Sequence, residues 1–183
     1  MRRAVMLVAS VAIGLVSIGG ALWASRPGPG AIGRCADPHI VVVKHLARLT
    51  LRCAEGEHAY PVTFGAAPVG HKQRRGDERT PEGRYRVIAK SSDARFHRFL
   101  KLSYPNAADR ARAAAAGLDP GGGIGIHGVR KSLAGLARLF IRGGGGLSAR
   151  IWGPTDGCIG MINEDVEAVF DATPIGTDVL IEP

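Results

Sequence analysis

Between residues 39 and 102 the chain sustains no helical pattern. Short β-type runs alternate with glycine and proline punctuation, and this restricts the fold more than any other feature. His39–His45 is dominated by Ile40, Val41, Val42 and Val43, residues that favour pleated backbone. Arg48–Cys53 sets Leu49, Leu51 and Cys53 against polar neighbours, the period of two expected of a half-buried strand. Tyr60–Phe64 predicts a third strand. Thr80-Pro81-Glu82-Gly83 is turn chemistry ahead of a strand over Tyr85–Ala89, and Phe99–Leu102 predicts another. Helical signals come later. Ala107–Ala116 is alanine-rich and stopped by Gly117, and Leu133–Ile141 reads as a second helix. A third has Asn163 as its expected N-cap, with Glu164 and Asp165 in the first turn, where carboxylates favour the positive end of the helix dipole. Val166, Val169 and Phe170 give it an apolar face. No repeats occur, and the regular strand–helix alternation of a parallel sheet is missing. The expectation is a β-rich α+β domain with two or three short helices.

Apolar residues make up 45% of the 183 residues, enough to build a core, and the 26 glycines and 11 prolines fit a loop-rich fold. The net charge of +8 implies an anionic neighbourhood. No Lys/Arg block interleaves with aromatics, so nucleic-acid binding is not expected. Two arginines precede Ala4–Ala24, an uncharged run long enough to cross a bilayer. Residues 1–25 therefore read as a cleaved signal peptide or as an uncleaved membrane anchor. Arg26-Pro27-Gly28-Pro29-Gly30 opens a linker over residues 26–37, and residues 38–183 form the domain. Either N-terminal reading places the domain outside the cytoplasm, in the periplasm or cell envelope. There, Cys35 and Cys53 can pair as a disulfide across a hairpin or stand as two thiols, leaving Cys158 as the odd cysteine. The cysteine and histidine spacings match no zinc pattern, so no metal site is expected.

The chemistry-bearing stretch is Thr155-Asp156-Gly157-Cys158-Ile159, read with Ile126-His127-Gly128. A cysteine after a glycine, at an expected loop-to-helix junction, can expose its sulfur beside backbone N–H groups able to hold an oxyanion. An ordinary thiol is mostly protonated near neutrality, and an imidazole within reach can take its proton. His127, with glycines at 125 and 128, is the candidate base, and Cys158 the candidate nucleophile. The N–H groups of Gly157 and Cys158 are the candidate oxyanion donors.

These residues resemble the L,D-transpeptidase catalytic domain, also called the YkuD domain, in its Thr-Asp-Gly-Cys branch. The resemblance extends to Gly70-His71-Lys72 through Gly76-Asp77-Glu78-Arg79-Thr80-Pro81-Glu82-Gly83-Arg84-Tyr85, to Ser103-Tyr104-Pro105-Asn106, to Pro120-Gly121-Gly122-Gly123, and to Asn163-Glu164-Asp165 with Pro174-Ile175-Gly176-Thr177. It covers residues 38–183 in the family's order. It implies mixed β-sheets packed with short helices, and a peptidoglycan stem tetrapeptide as donor. Cys158 would attack the carbonyl of the third, diamino-acid residue, release the terminal D-alanine and form a thioester. An amine acceptor would then give a cross-link, and water a shortened stem. The resemblance further implies acylation by carbapenem-type β-lactams and no cofactor. An envelope hydrolase of peptidoglycan or of protein–wall links, and a non-catalytic wall-binding protein, are the alternative readings.

Gly128, Thr155, Asp156 and Arg79 are candidate substrate contacts, and Arg74, Arg75 and Arg84 lie in the same basic stretch. Asp156 stands where the commoner family form has histidine, so no second active-site histidine carries over. The 28-residue gap from His127 to Thr155 is longer than family members usually show and suggests an added loop around Gly143–Gly146. Trp152 either floors the cleft or packs in the core. Gly123–Gly128 matches G-x-G-x-x-G in form, yet it follows a glycine run and leads into no clear helix, so nucleotide binding is set aside.

Overall fold

The computed structural model describes residues 32–92, 95–129, 155 and 157–183. His39–Val43 (β1) and Arg48–Cys53 (β2) form an antiparallel hairpin in which Ile40 faces Leu51 and Val42 faces Leu49. The period-two pattern puts all four side chains into the core, each no more than 1% exposed. Gly56–Pro61 (β3) continues the meander, pairing with β2. Gly83–Ser91 (β4) and Phe99–Leu102 (β5) are antiparallel neighbours, and Ala107–Ala115 (α1) follows. Gly125–His127 (β6) pairs antiparallel with β5, and Ile159–Gly160 (β7) runs parallel to β6. Asn163–Ala172 (α2) precedes Asp178–Glu182 (β8), which inserts parallel to β1 and antiparallel to β4.

The sheet order is β3-β2-β1-β8-β4-β5-β6-β7. A bulge between Val87 and Ala89 bends β4 as its pairing passes to β5. The chain leaving β3 then meets the opposite edge: Thr63 and Gly160 exchange two backbone hydrogen bonds of 2.9 Å. The sheet is thus mixed and curled, with both edges drawn together. Val166 and Val169 of α2 join Ile126, Ile159, Leu100 and the β1/β8 side chains in one core. Each fully buried aliphatic side chain contributes about 1.5–3 kcal/mol.

The fold is the expected β-rich α+β type, with two differences of detail. The third strand lies at Gly56–Pro61, not Tyr60–Phe64, because the tight turn at Ala54–Glu55 lets β3 pair with β2 immediately. The segment Gly125–His127, where no strand was expected, is a strand. Gly125 is needed there, since a Cβ would fall 2.4 Å from the Phe99 ring and 2.7 Å from the Leu100 carbonyl oxygen. α1 carries a full capping box, with Asn106 and Asp109 each accepting the other's backbone N–H at 3.0 Å.

Cys35 and Cys53 are joined by a disulfide across 18 residues, fastening the segment before β1 to the end of β2. Opening it in a Cys35→Ser/Cys53→Ser variant should lower unfolding free energy by about 3 kcal/mol, from the chain entropy of a loop this size. Urea titration of wild type with and without reductant should reproduce the loss.

Among the described residues no helix is long and apolar enough to cross a membrane. The expected signal or anchor segment, the expected helix over Leu133–Ile141, the Gly143–Gly146 stretch, Trp152 and Asp156 lie outside the described residues.

Candidate active site

β6 and β7 bring the candidate residues together. Ile126 pairs with Ile159 and His127 with Gly160, so His127 ends one strand and Cys158 immediately precedes its parallel neighbour. Cys158 therefore opens a loop-to-strand junction rather than the expected loop-to-helix junction, and α2 begins five residues later. The reason is non-local, since Ile159 has β6 to pair with. Cys158 lies outside the Cys35–Cys53 disulfide and is half-buried. One contact of its sulfur is the Gly123 carbonyl oxygen at 3.6 Å, a thiol hydrogen bond in which Sγ donates. Thr155 Oγ1 donates to the Cys158 carbonyl at 3.3 Å, closing the turn around Gly157.

His127 is 4% exposed and held by aromatic rings. Phe99, its partner across β5–β6, stacks on it at 5.9 Å between centroids with a 13° interplanar angle, and Phe96 lies at 4.6 Å. Its Nδ1 sits 2.7 Å from the Gly128 carbonyl oxygen. A carbonyl can only accept, so Nδ1 carries the proton, and neutral His127 holds its lone pair on Nε2. This is the tautomer a base acting through Nε2 requires.

Gly157 has φ +110° and lies hard against the segment carrying Arg79. A Cβ there would fall 2.0 Å from the Arg79 carbonyl oxygen, so the turn before Cys158 has room for hydrogen alone. Gly128 is similarly confined, a Cβ meeting Asn163 Oδ1 at 2.6 Å.

The Arg79 segment is itself braced from below. Asp77 accepts Lys72 Nζ at 2.7 Å and the backbone N–H groups of Gln73, Arg74 and Arg79 at 2.6, 3.0 and 3.2 Å. Burial pushes the Asp77 carboxyl up, but the Lys72 ammonium and the three N–H donors outweigh it and bring it down to about 2. Lys72, only 2% exposed, is the other half of this buried pair.

The arginines of the basic stretch meet different neighbours. Arg79 borders Gly157 through its backbone, and its guanidinium lies beside Gly70. Arg75 pairs with Asp119 at 2.8 Å on the surface. Arg84 projects from the exposed side of β4 into a groove lined by Asp37, His39, Arg52, Arg86 and Asp178, away from Gly157 and Cys158, because residue parity along β4 sends Tyr85 into the core. Sequence reasoning missed Phe96 and Phe99, the Lys72–Asp77 brace, and the use made of Asn163. The signal for the brace is present in the sequence, as Lys72 five residues before Asp77 in the Gly76-Asp77 turn.

The chain belongs to the L,D-transpeptidase catalytic domain (YkuD) family, whose model matches residues 37–181. Solved structures of similar fold include the helical cell shape determining protein Pgp2 from Campylobacter jejuni, at 23% identity over 83% of this chain and 50% of that one, with a TM-score of 0.55. An L,D-transpeptidase from Mycobacterium tuberculosis shares 14% identity over 80% of this chain and 58% of that one, TM-score 0.52. L,D-transpeptidase 3 from the same organism, in complex with a faropenem-derived adduct, shares 14% over 80% and 60%, TM-score 0.50. The chain thus spans about half to three-fifths of those structures, and at these identities the likeness speaks for the fold. No curated protein sequence matches it.

Proposed function

We propose that the protein is a peptidoglycan-remodelling L,D-transpeptidase of the cell envelope, with Cys158 as nucleophile and His127 as base. The observation that carries this reading is the pairing of β6 with β7, which sets His127 and the residue after Cys158 on neighbouring parallel strands while the Gly128 carbonyl holds the Nδ1 proton. His127 Nε2 takes the thiol proton as Sγ attacks the stem-peptide carbonyl. The Gly157 and Cys158 N–H groups receive the developing oxyanion, and removing such a donor elsewhere costs about 2.7–4 kcal/mol. The proton passes to the departing D-alanine amine, leaving a thioester. An acceptor amine then attacks, its surplus proton returns through His127, and the thiol is restored. Gly128, Thr155, Asp156 and Arg79 border the donor in this reading, and a penem or carbapenem acylates Cys158 by the same route, a reading supported by the faropenem-derived adduct of the mycobacterial L,D-transpeptidase 3. The uncharged Ala4–Ala24 run supports export by a signal peptide or anchor.

The test is mass spectrometry of products when the full chain meets defined tetrapeptide muropeptides, with Cys158→Ala as control. Cross-linked dimers that vanish in the variant are expected. Shortened monomers alone would assign hydrolysis, and identical unchanged substrate in both samples would overturn the enzymatic reading in favour of a wall-binding protein.

A further inference from the structure

Asn163 does not cap α2. The cap position is Ile162, which makes no side-chain cap hydrogen bond, and Asn163 is the first helical residue, buried at 9% exposure. Its Oδ1 instead accepts the Val129 N–H at 2.7 Å, the oxygen being assigned by the donor it meets. That N–H belongs to the Gly128–Val129 peptide, and the carbonyl of the same peptide is the group that accepts His127 Nδ1–H at 2.7 Å. One amide plane is therefore gripped from both ends, Asn163 on its N–H and His127 on its carbonyl.

The two peptide planes after His127 are held differently. The His127–Gly128 plane is fixed by the backbone, with the His127 carbonyl accepting Met161 N–H at 2.8 Å and Gly128 N–H donating to the Arg98 carbonyl at 3.2 Å. The Gly128–Val129 plane is held by the Asn163 and His127 side chains. Its freedom to turn is large, since Gly128 is the hinge between the planes. Gly128 also has to be glycine for Asn163 to come this close. An amide whose N–H is already donated is a stronger acceptor at its carbonyl, because the two hydrogen bonds polarise each other.

We infer that Asn163 is a positioning residue, which sets the tautomer and ring orientation of His127 by orienting the Gly128–Val129 peptide. The inference rests on the reading of His127 as base for its consequence, but not for its geometry. A helix residue far from His127 in sequence thereby decides which imidazole nitrogen is basic.

The experiment uses the full chain with 15N-labelled histidine, and long-range proton–nitrogen spectra that identify the protonated ring nitrogen of neutral His127. Wild type should show Nδ1–H, and an Nε2–H tautomer there would overturn the inference without any variant. Asn163→Ala should give a mixed or Nε2–H population and slow iodoacetamide alkylation of Cys158 near neutral pH by roughly 10- to 100-fold, the range seen when the residue orienting a metal-bound histidine is lost. Asn163→Asp, which keeps the acceptor oxygen, should restore the Nδ1–H tautomer and most of the rate. Should Asn163→Ala not fold, Asn163→Gln, which displaces the oxygen by one methylene, serves in its place. Retention of the wild-type tautomer in Asn163→Ala or Asn163→Gln overturns the inference. His127→Ala alkylation separates the two readings: an unchanged rate there removes His127 as base and leaves the tautomer result standing.

Discussion

Alanine at position 157 should slow acylation of Cys158 by at least about 10²–10³-fold, the loss seen when an oxyanion donor is displaced. Two effects combine. The backbone of Gly157 sits at φ +110°, a region L side chains rarely adopt. The added methyl also falls 2.0 Å from the Arg79 carbonyl oxygen and 2.9 Å from its carbon, both backbone atoms that cannot swing aside, and 3.2 Å from the Ile124 side chain. Relief requires the turn before Cys158 to move away from the Arg79 segment, carrying the Gly157 and Cys158 N–H groups with it. Gly176 supplies the control. It has a similar φ of +99° but nothing within 4 Å of an added Cβ, so Gly176→Ala carries the conformational cost, about 1–3 kcal/mol, without the clash. Burst kinetics with a penem, followed by intact-protein mass, should show a slow Gly157→Ala and a normal Gly176→Ala. Equal acylation by the two would sink the argument that close packing on Arg79 shapes the site.

The second large effect is on stability. Replacing Asp77 with asparagine should lower the unfolding free energy by about 3–5 kcal/mol, the cost of breaking a buried ion pair from one side. The Lys72 ammonium, 2% exposed, loses the carboxylate it pairs with, and the loop holding Arg79 loses the acceptor that gathers three of its N–H groups. The pH dependence follows from the direction of the shift. Folding lowers the Asp77 carboxyl from the ordinary 3.8 to about 2. The folded state therefore releases this proton more readily than the unfolded chain, so its contribution is complete above 3.8 and is lost as pH falls from there through about 2. Urea midpoints across that acidic range should fall steeply in wild type and with a shallower slope in Asp77→Asn. Parallel slopes would mean that Asp77 titrates alike folded and unfolded. Because the loop borders Gly157, the variant should also acylate more slowly under conditions where it remains folded.

Much of the architecture was legible from the order of residues, and the parts that were not share a cause. Leu49 and Leu51 announced β2 by alternation, and Phe99–Leu102 announced β5, since each carries its own apolar pattern. Gly125–His127 carries none: three residues within a glycine-rich run become a strand because β5 and β7 flank them. Ile159–Gly160 is two residues long and has no local signature. Asn163 has the composition of a cap and the position of one to within a residue. The demand of the Val129 N–H, 34 positions earlier, decided its use instead. The arginines of residues 74–84 form a cluster in sequence and disperse in space, because parity along β4 sends Arg84 to the exposed side while Arg79 stays in a loop.

The sequence by itself determined the family, the candidate nucleophile and base, and the β-rich α+β class. These follow from residue identity, short-range spacing and the periods of strand and helix, all local properties of the chain. The tertiary structure alone decided the register of β6 against β7, the tautomer of His127, the absence of room at Gly157, and the Lys72–Asp77 brace beneath the Arg79 segment. Each of those depends on which distant segments pack together, where a shift of one residue would turn a side chain to the other face or fill a space that admits only hydrogen.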